Sequence, residues 1–318
     1  MEARFELALC ASLESPDRVV ARQLGAGVTV PGNRIVDVCV LAPGPGFGDR
    51  AAITPQRIPD PAIEASVGPG EAVPVSEAFD CPMDRARGIV DDAVEAGYLE
   101  HERRDGRPTV RATARYPDDW VGSLTAVENK PDLGEPGELE AQLRYDVALG
   151  LFDEVVLATG SYVTRAHLNR IPDVVGVWRF DPTGGEREVV REPTPLDPAA
   201  AGVEIREERA SRTDVTVVSA VAKARKRRRV AERAYGKGWR PAPPGCAHAS
   251  TTTDGRPYCE RFDRVVVPGR ECGTGCPAYD PAAPPTDDRG RLRDEHSAWV
   301  AEPDRGGPRW QSGLSRFS

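Results

Sequence analysis

The chain has little lysine: four residues, at positions 130, 223, 226 and 237, stand against 38 arginines in 318 residues. Each lysine position is therefore more informative than usual. No apolar run is long enough to span a bilayer, and the start has no basic n-region followed by an apolar h-region. A soluble, cytoplasmic protein with no membrane partner is the expectation. Cysteine is sparse over most of the chain. Cys10, Cys39 and Cys81 stand singly in apolar or turn contexts, where buried-thiol packing is the expected role. The remaining four of the seven fall within 246–276, which without an export signal reads as metal binding before disulfides.

What is present allows a sizeable core: 39% of residues are hydrophobic, enough for one main domain with attachments. The run Leu124-Thr-Ala-Val127 has the character of a buried strand and ends in Glu128-Asn129-Lys130. Side-chain alternation sends Glu128 and Lys130 to one face. An acid and an amine side by side at a strand end suit metal-assisted attack on a phosphodiester, the acid holding the ion and the lysine the water or the developing charge. An exposed ion pair beside a strand is the alternative.

Upstream, Phe5, Leu9 and Leu13 repeat at helical spacing, and Val19, Val20 and Leu24 continue as a second helix after Ser15-Pro16-Asp17. Glu6 lies one turn from Cys10, along the edge of that apolar stripe; a solvated position near the helix start is the alternative. Val28-Thr-Val30 and Arg34 to Leu41 are expected as strands of a hairpin turning at Pro31-Gly-Asn33. Asp37 interrupts the second of these, and a carboxylate there is costly to bury unless paired or bound to a cation.

Residues 45–119 have the look of an insertion into a core formed by 1–44 and 120–210. It contains a helix from Met83 that stops at Gly97, then a charged hairpin turning at Asp105-Gly106. Helix, Gly-Tyr-Leu and charged hairpin are similar to the last helix and wing of winged-helix domains. Arg103, Arg104, Arg107 and Arg111 would decorate the wing and contact phosphate. A solvated hairpin on an ordinary insertion is the other reading. After Glu128 come an amphipathic helix with Leu139, Leu143, Val147 and Leu151, the strand Glu154 to Thr159, a helix from Val163 to Asn169, and the strand Val174 to Phe180. This alternation predicts an α/β fold, a mixed central sheet flanked by helices.

The ordered set of Glu6, Asp37, Glu128 and Lys130 on such elements resembles the PD-(D/E)xK, or restriction-endonuclease-like, nuclease superfamily. The resemblance implies a helix–strand–strand–strand–helix–strand core with those residues converging at one sheet edge. It implies Asp37, Glu128 and the Asn129 carbonyl binding Mg²⁺ or Mn²⁺, Lys130 orienting the attacking water, and DNA as substrate. Gln142-x-x-Tyr145 resembles a DNA-contacting Gln-x-x-x-Tyr region of RecB-like members, one residue shorter. The Pro-Asp dipeptide is absent, with Ile35-Val36-Asp37 in its place. Acidity and lysine scarcity are similar to those of cytoplasmic proteins of salt-loving archaea. At molar salt the Debye length is about 3 Å, so a net charge of −8 does not exclude a nucleic-acid partner.

Residues 211–240 carry the strongest local charge reversal. Lys223, Arg225, Lys226, Arg227, Arg228 and Arg229 would form a nearly all-round cationic helix for phosphate contact, or else a solvated helix balanced by acid elsewhere. Within 241–280, Cys246, Cys259, Cys272 and Cys276 suit a closed tetrahedral zinc site in a cysteine-rich module. An iron–sulfur cluster is the rival, since nucleases of the resembled fold carry one. Residues 281–318 are expected as a flexible tail. The leading expectation is a metal-dependent deoxyribonuclease. A non-catalytic nucleic-acid-binding or regulatory protein on the same scaffold is the alternative.

Overall fold

The computed structural model describes residues 2–299, except 31, 52–57, 66, 114–118, 135–136, 210 and 287 and the side chains of 49 and 51. The chain divides into two compact units, Met1–Pro43 with Gly122–Trp299, and Gly44–Val121. In order, the elements are α1 (Glu2–Leu13), β1 (Val19–Gly25), β2 (Ile35–Pro43), α2 (Phe47–Ala51), α3 (Asp60–Glu64), β3 (Val73–Pro74), α4 (Val75–Ala78), α5 (Met83–Glu95), β4 (Leu99–Arg104) and β5 (Arg107–Ala112). Then follow β6 (Val121–Asn129), α6 (Leu139–Leu149), β7 (Glu154–Thr159), α7 (Arg165–Leu168), β8 (Gly176–Phe180), β9 (Arg187–Arg191), β10 (Gly202–Arg209) and β11 (Arg212–Val218). The chain continues through α8 (Ala220–Lys237), β12 (Ala249–Thr251), β13 (Pro257–Cys259), β14 (Arg264–Val265), α9 (Pro268–Glu271) and α10 (Arg289–His296).

The first unit is built on a mixed sheet ordered β1-β2-β6-β7-β8-β9. β1 pairs antiparallel with β2, β6 and β7 and then β7 and β8 pair parallel, and β9 returns antiparallel. Gly122, at the start of β6, lies against the Pro43 carbonyl at the end of β2, while Asn129 reaches Asp37. These two contacts run β2 and β6 in opposite directions. On one face α1 seats Phe5, Leu9 and Leu13 against Val38, Val127, Val156 and Ala158. Phe5 meets Phe180 edge-to-face at 5.4 Å. On the other face, Leu139 and Leu143 of α6 pack on Val155, Leu157 and Val177. The helix ends at Gly150 in the left-handed conformation, φ 56°, a turn that a side chain would strain.

The expected second helix at Val19, Val20 and Leu24 is instead β1, and Val28–Val30 is not a strand. Paired valines tolerate extended backbone well, and the partner strand decides an otherwise ambiguous apolar spacing. Gln23, with φ 56°, breaks the ladder between the Arg22–Val38 and Leu24–Val36 pairs. Pro31, in the expected hairpin turn, lies outside the described residues.

In the second unit, β3, β5 and β4 form a three-stranded sheet on which α3, α4 and α5 pack. The β4–β5 hairpin turns at Asp105 and Gly106, φ 50° and 76°, the positive values an Asp-Gly two-residue turn is suited to.

Residues 211–299 belong to the same compact unit as the sheet. The region expected as a flexible tail is docked as far as 299. α10 buries Leu292, and Trp299 is fully buried, stacked on Tyr235 of α8 at 4.5 Å. Two hydrophobic anchors outweigh the polar composition of the segment. Residues 300–318 of that tail lie outside the described residues. Among the described residues no helix is long and apolar enough to cross a membrane. Removing the anchor, Trp299→Ala, is expected to cost about 3–5 kcal/mol in chemical denaturation; unchanged stability would mean the segment is not part of the folded unit.

Candidate functional site

The start of β2, the end of β6 and the middle of α1 bring a group of acids together. Val38 and Val127 point under α1, so strand alternation turns Asp37 and Glu128 toward the opposite face. Asp37 Oδ2 accepts from the Asn129 backbone N–H at 3.0 Å, and its Oδ1 accepts from Gln23 Nε2 at 3.3 Å. Gln23 also donates to Glu6 Oε2 at 2.8 Å, and the Asn129 side-chain amide donates to the same oxygen at 3.2 Å. Arg22 holds Glu6 Oε1 at 2.7 Å. Glu6 is thus 4% exposed and tied into the cluster, not solvated at the helix start.

Glu128 is 5% exposed, and its Oε2 accepts from Arg34 Nη2 at 2.6 Å. The same guanidinium grips both oxygens of Asp146, on the buried side of α6, at 2.9 and 2.6 Å. Lys130, just past the strand, is partly exposed and stands 3.9 Å from Glu2 at the start of α1. The expected pairing of Glu128 with Lys130 on one face is therefore replaced. Glu128 answers to Arg34, and Lys130 turns toward α1 because the strand ends at Asn129.

Four buried or half-buried acids, Glu6, Asp37, Glu128 and Asp146, face two guanidinium groups, Arg22 and Arg34. Fully ionised, and even with the Lys237 ammonium also close to Glu6, they leave a net negative charge. Burial raises the carboxyl pKa of Glu6, Asp37 and Asp146 above the ordinary range. Burial pushes Glu128 up to about 8 against the pull of Arg34, with Asp37 and Asp146 adding to the rise. Although burial opposes its charge, Arg34 is held more firmly protonated by Asp146 and Glu128. At the centre of the cluster Asn129 is 2% exposed, and its Oδ1 is buried with no hydrogen-bond partner. An orphaned oxygen beside surplus carboxylates is the chemistry a hard divalent cation satisfies. Even so, no three His, Cys, Asp or Glu side chains among the described residues stand close enough, as placed, to hold a metal ion.

The other expected site residues are placed as follows. Gln142 is half-buried on α6, and the buried Tyr145 donates to Glu204 Oε1 at 2.6 Å, so its hydroxyl is occupied within the fold. α8 is not cationic all round, because it packs as an amphipathic helix. Lys223 and Lys226 are buried. Lys223 donates to the Asp197 carbonyl, and Arg227 bridges the Leu151 carbonyl and Asp153. Arg225 is exposed; Arg228 and Arg229 are half-buried. Cys246, Cys259, Cys272 and Cys276 line one open cavity of about 260 Å³. Cys10 and Cys39 are buried and Cys81 is half-buried.

A family model matches residues 19–281. The chain belongs to DUF5787, a family of unknown function. No curated protein and no solved structure matches it. In this DUF5787 chain the matched segment takes in Arg34, Asp37, Glu128, Lys130, Asp146 and the four clustered cysteines, and starts after Glu6.

Arg34 and Asp146 escape a sequence search for acids at strand ends. The available signal is Asp146 itself, a carboxylate on the Leu139–Leu143 side of a helix. Because Glu128 titrates higher in the fold than its ordinary 4.5, its contribution favours folding below that value and is lost as pH rises toward about 8. In metal-free protein, the urea midpoint should therefore fall between pH 5 and pH 8. Glu128→Gln should flatten that fall; an equally steep fall in the variant would locate the titration elsewhere.

Proposed function

We propose that this chain is a metal-dependent nuclease acting on DNA. The observation that carries the proposal is the gathering of Glu6, Asp37 and Glu128 around Asn129, with surplus negative charge and an unpartnered buried oxygen. The order α1, β1, β2, β6, α6, β7 supports the restriction-endonuclease-like reading, with the second unit inserted between β2 and β6. So does the position of each acid: one on the first helix, one on the second strand, one at the end of the third.

Hard oxygen donors suit Mg²⁺ or Mn²⁺, with Asp37, Glu128 and the Asn129 carbonyl as the groups that would hold it and Glu6 beside them. Bound there, the ion would supply Lewis-acid polarisation of a phosphate oxygen and lower the pKa of water. The chain's own residues do the rest. The Asn129 N–H orients the Asp37 carboxylate and Arg34 ties Glu128 to α6; binding an ion would draw these acids closer together than they stand. In this reading Lys130, partly exposed and 3.9 Å from Glu2, would neutralise charge developing on the phosphate and orient water.

For the second unit, the order α3, β3, α4, α5, β4, β5 with sheet order β3-β5-β4 supports a winged-helix reading. Arg103 and Arg107, exposed beside the hairpin tip, are its phosphate-contact candidates. A second reading, nucleic-acid binding without cleavage, is favoured by one observation: Arg34 already satisfies Glu128 and Asp146 with no ion present.

Labelled single- and double-stranded DNA, incubated at molar salt with the full chain and Mg²⁺ or Mn²⁺, separates the two. Cleavage should appear with the metal and vanish with EDTA. Asp37→Ala and Lys130→Ala should each slow it by roughly 10²–10³-fold while the circular dichroism spectrum is kept. Retained DNA binding with no cleavage under any metal would favour the second reading, and full activity in either variant would overturn the site.

A further inference from the structure

Residues 244–280 have little to hold them together. Apart from Pro257, Val266 and Val267 are the buried apolar side chains among the residues described there, and the strands β12, β13 and β14 are two or three residues long. Such a segment needs a staple.

The local backbone gathers the four thiols from three places. Cys259, at the end of β13, pairs across the ladder with Ala249, three residues after Cys246. Cys246 is itself fixed by a bridge to Pro281. Cys272 follows α9 directly, its N–H on the Pro268 carbonyl at 3.1 Å. Gly273, with φ 129°, then turns the chain, and the Cys276 N–H closes that turn on the Gly273 carbonyl at 2.9 Å. All four are free thiols, half-buried, and line one cavity with His248.

We propose that Cys246, Cys259, Cys272 and Cys276 bind a single zinc ion that staples this segment and, through α9, fixes α1. Four thiolates form a soft, closed tetrahedral donor set, the arrangement of structural zinc rather than of an open catalytic ion. The thiols as placed stand apart; binding one ion would draw their sulfurs to about 2.3 Å from it, around the cavity that all four line. The link to α1 is direct. Glu271, the residue before Cys272, forms an ion pair with Arg4 of α1 and accepts from the Val267 N–H at 2.7 Å. Val267 joins Phe5 and Leu9 in the cluster beneath α1. Holding Cys272 therefore holds the helix that carries Glu6. The zinc site itself does not depend on the nuclease reading, and its test uses no DNA.

The full chain, purified with reductant, should carry about one zinc per chain by elemental analysis. Replacement by Co²⁺ should give the absorption of tetrahedral cobalt thiolate. Adding a chelator should expose four thiols to a thiol reagent that are shielded before it, with the buried Cys10 and Cys39 staying shielded throughout. Cys259→Ser and Cys272→Ser should each lose the zinc and the cobalt spectrum, whereas Cys81→Ser should keep both. If the first two variants do not fold, the cobalt spectrum and thiol shielding of the unmodified chain still decide. Absence of stoichiometric zinc and cobalt, an intact mass showing disulfides, or a brown iron-containing protein would overturn the proposal. Chelation should speed amide exchange in residues 5–13 several-fold; unchanged exchange there would overturn the link to α1.

Discussion

One guanidinium joins three elements of the sheet unit. Arg34 stands just before β2, Glu128 lies near the end of β6, and Asp146 sits on the inner side of α6. The side chain of Arg34 is 5% exposed, so its charge is out of water and tolerable only because two carboxylates share it. Breaking such an arrangement on one side leaves an unpaired buried charge, a cost of about 3–5 kcal/mol. Replacing the whole set with apolar residues is often neutral in other proteins, so stability alone does not account for it. What the triad supplies is register. It fixes where β2 begins relative to where β6 ends, and that junction is where Asp37 meets Asn129.

The rest of the candidate site is layered on that junction. Glu6 reaches it from α1 and is held by Arg22 and Gln23, both from β1. Gln23 sits at the ladder break with positive φ, which places its amide between Glu6 and Asp37. A regular strand would alternate past this position and leave the two acids without a shared donor. The local irregularity and the acid cluster are thus parts of one arrangement.

How much of this was legible in the chain differs by element. The buried run ending in Glu128 gives β6, the spacing of Leu139 and Leu143 gives α6, and Asp105-Gly106 gives the hairpin, because each carries its own periodicity or turn chemistry. Asp37 stands out for the reason it matters, a carboxylate in an apolar strand. Val19, Val20 and Leu24 mislead because three apolar residues fit either period, and pairing with β2 decides. Arg34 and Asp146 are silent because an arginine before a strand and an aspartate in a helix are ordinary until the fold sets them 2.6 Å apart. The basic run on α8 misleads through composition. Long lysine stems can be buried along a helix whose charges end on backbone carbonyls, as Lys223 does on Asp197. Trp299 is likewise invisible as an anchor in a polar segment until Tyr235 is beside it.

Two donor chemistries in one unit follow from the same constraint. The acid cluster offers hard oxygens with surplus negative charge, and the cysteine segment offers soft sulfurs with almost no apolar core. Neither set suits the ion the other prefers, so the two sites would not compete for metal. They differ also in what salt does to them. Surface charges such as Lys130 and Glu2 are screened within a few ångströms at molar ionic strength, on the order of 3 Å, whereas the buried acids are screened far less. In a chain this acidic, what survives high salt is what is buried: the Arg34 triad, the Glu6–Asp37–Asn129 cluster, and the α9–α1 contact that Val267 seals.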